Sequence, residues 1–296
     1  MCHRDTVNGR PTFPALTAVG RKFAPWQDLY HWLLQRSWWT FFGLILVLFV
    51  VLNLLFACTY WVAPGCITGT ATHSFEDCFF FSVQTLATIG YGTMAPATRY
   101  AHVLVSFEAL TGVISTALIT GLTFAKFARP TSRVLFADKI AVGTRDGVPT
   151  MCFRMANYRQ NTVTEAQLRI ILLVTDYTRE GEEHRSPIEL KLVRDRSPTF
   201  ILTWTAMHVI DESSPFYGED ALDRLRARRA EMYALLTGVD ETFGQTIHGR
   251  YYYRLDDIVQ NARFADVITL LPTGQRRIDY TRFHDVVPIA KPAATT

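Results

Sequence analysis

Between Arg36 and Glu76 the chain carries no Lys, Arg, Asp or Glu, and this gap restricts the fold more than any other feature. Within it, Trp38 to Val62 reads WWTFFGLILVLFVVLNLLFACTYWV. At ~1.5 Å per residue that run is long enough to cross a ~30 Å hydrocarbon layer. Trp38, Trp39, Tyr60 and Trp61 mark its ends, where aromatic rings suit the two interfaces. A second apolar segment, Tyr100 to Phe127, is interrupted only by Glu108 until Lys126. The pattern predicts two membrane spans, over 38–62 and 98–127. The start of the chain is polar and the first apolar run lies far inside it, so that run is read as a span and not a cleaved leader. Arg21, Lys22 and Arg36 precede the first span, and Lys126, Arg129 and Arg133 follow the second. The excess of basic residues on that side puts both termini in the cytoplasm of a protein held in the cell (inner) membrane. The overall hydrophobic content of 49% hides this division, and a formal net charge of +3 gives no reason to invoke nucleic acid.

Between the spans, Ser74 to Leu86 reads as a helix too short to cross, with Ser74 as N-cap and Asp77 at capping-box distance. It leads into Thr88-Ile89-Gly90-Tyr91-Gly92. An ion that crosses a membrane must exchange its water shell for other oxygen ligands. A row of backbone carbonyls serves if successive ones point into one narrow lumen, as in potassium-selective filters. An ordinary strand alternates its carbonyls, but glycine tolerates the positive φ that turns them to one side. Ile89 and Tyr91 must then point away and brace the wall, while the Thr88 hydroxyl adds an oxygen ring at the inner end. One chain supplies one wall, so the pattern calls for four copies around an axis with K+ as the permeant ion. The C-terminus of the short helix, with its partial negative charge, favours a cation there. Irregular backbone at this depth is tolerated only where it is buried in protein or lines water.

Before the first span, Pro25 fits the first turn of a helix, and Trp26, Leu29, Tyr30 and Leu33 share one face. This amphipathic stretch, 25–37, reads as a helix lying along the inner membrane surface, packed on protein, or both. Residues 1–24 are polar and expected to be mobile. From Pro130 the pattern changes to short alternating segments: 166–170, 188–192, 200–210, 233–236, 251–253 and 267–271. Turn signals fall at Arg145-Asp146-Gly147, Glu180-Gly181 and Pro272-Thr273-Gly274. Regular short strands with such turns predict a β-sandwich. Asp220 to Arg229 reads as one exposed, Arg-rich helix, and 291–296 as a tail. The five cysteines show no metal-ligand spacing and are read as free thiols. Patterns of hydrolases, zinc proteases and phosphate-binding loops are missing.

Taken together, these residues resemble the prokaryotic branch of the inward-rectifier potassium channels, from about Trp26 to Val286. The resemblance rests on the amphipathic helix, the TIGYG run and the junction Ala125-Lys126-Phe127-Ala128-Arg129-Pro130. It extends through Arg154-Met155-Ala156-Asn157, Met207 to Pro215, and Asp279-Tyr280-Thr281-Arg282-Phe283. It implies a homotetramer and no enzymatic activity. Each chain would carry a transmembrane pore domain (38–128) and an immunoglobulin-like cytoplasmic β-sandwich (129–290) that prolongs the pore. K+ would be the permeant ion, with no organic cofactor and no other metal, and membrane lipids, phosphoinositides or other anionic lipids, would regulate gating.

Individual residues then acquire expected roles. Steps of four along the second span give Thr116, Thr120 and Phe124, a stripe that drifts only ~40° per step and can line an inner cavity. The family places a constriction at the position of Phe124, where four phenyl rings would block hydrated ions sterically and by dewetting. Gly112 permits either a hinge or close helix packing. Strongly rectifying relatives carry an acid at the position of Thr116, so its hydroxyl implies weak rectification. Glu108 lies ~80° around the helix from Thr116 and is expected behind the filter, hydrogen-bonded and bracing it. Where many eukaryotic members pair an acid with a basic residue, this chain has Gln84 and Met94, so filter support at Gln84 would be neutral. Gly238 to Gly244 matches the family's narrow cytoplasmic loop, a second constriction or a plain hairpin turn. Glu180 and Glu182 read as cytoplasmic pore acids or a solvated turn. Arg36, Lys126, Arg129 and Arg133 would each add ~1 kcal/mol toward an anionic lipid, although a general positive-inside bias also explains them. No span carries repeated arginines, so no dedicated voltage sensor is expected. Two other readings stay open: another two-span, ligand-gated potassium channel, and a non-conducting receptor or scaffold with a β-sandwich head.

Overall fold

A computed structural model describes residues 6–7, 10–11, 29–70, 72, 74–129, 132–159, 161–272 and 274–289. Most of the predicted N-terminal segment, residues 25–28 of the amphipathic helix and the 291–296 tail lie outside the described residues. The chain divides into two units, a helical one ending at Arg129 and a β-rich one beyond it.

The helical unit contains α1 (Leu29–Gln35), α2 (Trp38–Trp61), α3 (Phe75–Leu86) and α4 (Arg99–Phe127). Each of the last three begins where a hydroxyl takes up an orphan amide. Ser37 Oγ accepts from Thr40 N at 3.2 Å, and Thr98 Oγ1 accepts from Ala101 N at 3.2 Å. At α3 the cap is reciprocal: Ser74 Oγ accepts from Asp77 N (3.1 Å), and Asp77 Oδ2 accepts from Ser74 N (3.4 Å). Ser74 and Thr98 are thus caps and not first turns, and α2 stops at Trp61 with Val62 as its C-cap. Among the described residues, α2 and α4 alone are long and apolar enough to span a membrane, with mean hydropathy of 2.9 and 1.8. The short α3 packs between them. Tyr60 and Phe81 meet edge to face at 5.1 Å, and Ala57, Cys66, Cys78 and Ala101 close the same small core.

The β-rich unit holds β1 (Val134–Phe136), β2 (Ile140–Arg145), β3 (Val148–Asn157), β4 (Val163–Tyr177), β5 (Glu183–Leu190), β6 (Arg196–Phe200) and β7 (Thr203–Val209). After α5 (Ala221–Ala227) come β8 (Glu231–Asp240), β9 (Gln245–Tyr253), β10 (Ile258–Gln260), β11 (Ala262–Phe264), β12 (Ile268–Leu270), β13 (Arg276–Ile278) and β14 (Val286–Pro288). One five-stranded sheet runs β6-β4-β8-β9, with β5 also on β4; the other runs β7-β3-β2-β10, with β1 also on β3. The pairing is antiparallel except for β10 beside β2, where Ile258 faces Ile140. Alternation makes the sandwich: Leu168, Ile170 and Leu172 of β4, with Met232, Ala234 and Leu236 of β8, turn inward from one sheet. Met151, Phe153 and Met155 of β3 and Trp204 of β7 meet them from the other. Each such large side chain contributes ~1.5–3 kcal/mol on burial. This is the expected two-sheet, immunoglobulin-like architecture.

Three local readings need correction. The segment 200–210 is two strands, because the chain turns at Ile201-Leu202 and sends β6 and β7 to opposite sheets. The helix expected over 220–229 spans only Ala221–Ala227, and Ala221 and Leu225 are buried, so one face serves the core. Gly238 is not in a loop. It lies within β8, where the register against β4 shifts, and an added Cβ would meet Ala166 Cα at 3.3 Å.

Candidate functional site

The C-terminal turn of α3 sets the geometry of the segment that follows. Ala87 N donates to Val83 O (3.1 Å) and Thr88 N to Thr85 O (3.1 Å). Ile89 N and Gly90 N both donate to Gln84 O, at 2.8 and 3.3 Å. The contribution of Gln84 seen here therefore comes from its main-chain carbonyl. Beyond it, φ is positive at Thr88 (57°), Gly90 (58°) and Gly92 (81°), while Ile89 and Tyr91 between them keep negative φ. Alternation of this kind offsets the alternation of an ordinary strand, which is what a row of carbonyls on one side requires. Nothing lies within 4 Å of a Cβ built on Gly90 or Gly92, so backbone conformation, and not crowding in the protomer, is what requires glycine there. Thr88 adopts the left-handed region without that freedom, a strain of ~1–3 kcal/mol that a functional site can hold. Ile89 is 48% and Tyr91 71% exposed in the isolated protomer.

Behind α3 lies a buried polar cluster of four side chains from three helices. Glu108 of α4 is fully buried and accepts a hydrogen bond from Tyr60 of α2 (Oη to Oε2, 2.7 Å) and a short one from the Ser82 hydroxyl of α3. Ser82 Oγ also lies 3.1 Å from Asn53 Oδ1, and the Asn53 amide donates to Phe49 O at 2.8 Å. An unpaired carboxyl in hydrocarbon would be expensive, so these partners are what allow Glu108 to sit there. Only Glu108 was anticipated in this role; Asn53 and Ser82 were not singled out, and Tyr60, read as an interfacial aromatic, is instead fully buried. Asn53 carried the available signal, as a lone amide in the middle of the first apolar run. Gly112, one turn along α4, sits where an added Cβ would overlap Leu86 O and approach Leu86 C at 3.1 Å. Close helix approach alone accounts for this glycine, and α4 runs unbroken through it.

Further along α4, Thr116, Thr120 and Phe124 are all exposed in the protomer, Phe124 at 71%. Lys126 departs from its expected role toward lipid. It is 8% exposed, and its ammonium donates to Leu34 O (3.0 Å) and Arg36 O (2.5 Å), the free carbonyls at the end of α1. The rings of Trp38 and Phe41 lie 5.2 and 5.3 Å from Nζ. Arg129 adds a bond from Nη1 to Leu34 O at 3.1 Å but is itself exposed. Arg36 is exposed beside Trp32, with its guanidinium 4.7 Å from the ring centroid. Arg133 belongs to the β-rich unit, where its carbonyl accepts from Tyr158 N (2.9 Å). Lys126 is thus committed to capping a helix, while Arg36 and Arg129 stay exposed.

In the β-rich unit, Gly244 closes the β8–β9 hairpin at φ 61°, and Gly244 N donates to Asp240 O (2.8 Å). Asp240 anchors this turn: its carboxylate accepts from Thr242 N (2.9 Å) and pairs with Arg159 at 3.3 Å. Burial pushes the Asp240 pKa up, but these hydrogen bonds outweigh it and leave the group below the usual carboxylate value. Glu180 and Glu182 are exposed in the β4–β5 turn, and their amides both donate to Thr178 Oγ1 at 3.2 Å. His208 is buried and engaged at both ring nitrogens, with Lys191 O and Ser214 Oγ, each at 2.8 Å. Cys58, Cys66, Cys78 and Cys152 are free thiols.

A short helix held between two spans, followed by a loop whose φ alternates in sign and joined to a β-sandwich, defines a two-span channel subunit. The family model for an ion channel matches residues 44–129, and that for the inward rectifier potassium channel C-terminal domain matches residues 134–296. The chain is 41% identical over 272 residues to the inward rectifier potassium channel Kirbac3.1 of Paramagnetospirillum magnetotacticum, covering 92% of each. It is 29% identical to the G protein-activated inward rectifier potassium channel 1 of Gallus gallus, over 90% of this chain and 58% of that one. It is likewise 29% identical to the inward rectifier potassium channel irk-1 of Caenorhabditis elegans, over 90% of this chain and 53% of that one. The chain belongs to the inward rectifier potassium channel family. It is a channel-family protein of the cell membrane and not an enzyme, with two spans and a cytoplasmic β-sandwich.

Proposed function

We propose that four copies of this chain assemble into a potassium-selective pore, in which Thr88, Ile89, Gly90, Tyr91 and Gly92 of each supply the carbonyl cage. The observation that carries this reading is the alternation of φ across Thr88 to Gly92. A single protomer offers K+ one wall and leaves Ile89 and Tyr91 uncovered. Three further copies would complete the oxygen rings and cover those side chains. Gln84, through its carbonyl, and Glu108, through Ser82, hold the end of α3 that launches the filter.

Conduction is passive. Thr116 and Thr120 line the inner cavity, and Phe124 forms the inner gate, where four exposed phenyl rings converge. A neutral cavity with threonine at position 116 binds intracellular cations weakly, so rectification is weak. Gly112 keeps α4 against the pore helix and need not act as the hinge. Arg36 and Arg129 face an anionic lipid headgroup, phosphoinositide or other, with Arg133 contributing from the cytoplasmic side; Lys126 instead fixes the interfacial helix. Gly244 leaves the β8–β9 turn flexible enough for a cytoplasmic constriction, while Gly238 is a packing residue of the strand before it. Glu180 and Glu182 add negative potential to the cytoplasmic path for cations.

The test is flux of rubidium into liposomes holding the purified protein. Barium-sensitive uptake that discriminates strongly against sodium is expected. Equal entry of sodium, or monomers in detergent with silent liposomes, would overturn the reading.

A further inference from the structure

A pocket of ≈ 220 Å³ opens within the cytoplasmic unit, between β2 and β3 on one side and β11 on the other. Three of its eleven lining residues are arginines (Arg145, Arg154 and Arg263), and none is acidic. Thr144, Thr150 and Thr205 add hydroxyls to the same wall. Such a concave surface of one sign concentrates field lines on its interior.

Arg154 is the unusual member. It is 8% exposed, and its guanidinium is stacked by Phe264, with the ring centroid 4.5 Å from Cζ, and by Phe283 at 5.9 Å. Stacking uses the faces of the guanidinium and leaves its in-plane N–H groups for acceptors. Among the described residues, Nη1 is buried and finds none. Burial pulls the Arg154 pKa down, and the nearby Asp266 carboxylate offsets this only in part. Arginine nevertheless keeps its proton in proteins, so the group stays charged and under-neutralised. A buried charge left in that condition is costly unless an anion completes it. The other two arginines offer little competition. Arg145 directs Nη1 at Met207 Sδ (3.1 Å), a weak acceptor, and Arg263 is exposed on β11.

We infer that this pocket is a binding site for a small oxyanion, a phosphate or a short carboxylate, held by the guanidinium edges of Arg154 and Arg263 with Arg145 at the rim. The volume suits a small ligand, since sites for larger organic ones run ~300–1,000 Å³. Planar guanidinium forks match the paired oxygens of carboxylate and phosphate. The site lies wholly in the β-rich unit, so it stands whether or not the conduction reading above survives.

The experiment uses full-length protein in detergent, titrated calorimetrically with inorganic phosphate, with succinate, and with chloride at matched ionic strength. Saturable binding of phosphate or of succinate, but not of chloride, is expected, and the stronger of the two names the ligand class. Arg263→Gln, at an exposed position that does not threaten folding, should weaken binding about five- to tenfold, the loss of one charge-assisted contact. Arg154→Gln should abolish it. A second readout needs no variant: Cys152 lines the same pocket and is half-buried, so the bound anion should slow its alkylation, followed by mass spectrometry. Cys58, exposed on α2, is the internal control and should react at an unchanged rate. Absence of saturation with both oxyanions, equal affinity in Arg263→Gln, or Cys152 alkylation indifferent to both anions would each overturn the assignment.

Discussion

Replacing Gly112 with alanine is the most direct test of how α4 holds the pore helix. The new Cβ would overlap Leu86 O and stand 3.1 Å from Leu86 C. Both are backbone atoms, so no side-chain rotation relieves the contact. Ordinary carbon contacts need ~3.5–4.0 Å, so either α4 or the end of α3 must yield. Overpacking of this kind costs ~1–3 kcal/mol per protomer. Leu86 is followed by Ala87 and Thr88, so displacement of its carbonyl reaches the filter within two residues. The expected outcome is a lower thermal midpoint for the detergent-solubilised protein, together with a reduced preference for rubidium over sodium in liposome flux. A hinge role for Gly112 would instead leave stability unchanged or raised and slow opening with selectivity intact. A Gly112→Ala protein with wild-type melting and wild-type selectivity would refute the close-approach reasoning altogether.

Other substitutions probe separate elements. Glu108→Gln keeps one carbonyl acceptor and offers its amide as donor to the other hydroxyl, so it should be milder than Glu108→Leu, which strands the Tyr60 hydroxyl in the membrane at ~1–3 kcal/mol and leaves Ser82 only Asn53 Oδ1; thermal melts that rank the two equally would remove the cluster as a support. Ser82→Ala, which breaks the link between Glu108 and α3, should speed the loss of flux in low potassium more than it lowers stability. Phe124→Ala should raise basal rubidium flux, and an unchanged rate would remove Phe124 as the main barrier. For Asp240 the folded pKa lies below the ordinary carboxylate value. Its stabilising contribution is therefore present above the unfolded pKa and is lost as pH falls through the folded one, below ~3.8. Asp240→Asn should lower stability near neutrality and flatten the acid limb of a circular-dichroism unfolding series; a parallel acid limb would count against the assignment.

The sequence exposed what depends on period and composition. Two apolar runs of spanning length and a capped helix too short to cross were sufficient to place the membrane segments, and glycines at every second position marked the Thr88–Gly92 loop for its alternating φ. Alternation did the same for the sandwich. Side-chain partnerships across helices were not legible, because they depend on which faces meet. Tyr60 read as an interfacial aromatic, and Ser82 as an ordinary pore-helix residue, until α2, α3 and α4 were seen to converge on Glu108. Lys126 failed for a related reason. Its position beside Arg129 looked like surface charge, but the free carbonyls of α1 lie close enough to claim it. Gly238 was misplaced because a glycine at a strand irregularity and a glycine in a turn look alike in one dimension.

The Lys126 contacts have a mechanical consequence. Through its ammonium the inner end of α4, two residues past Phe124, is tethered to the last carbonyls of α1. α1 cannot shift without either tearing those bonds or dragging the end of α4 with it. With the gate proposed at Phe124, any force that displaces α1 would reach that constriction through a single ammonium.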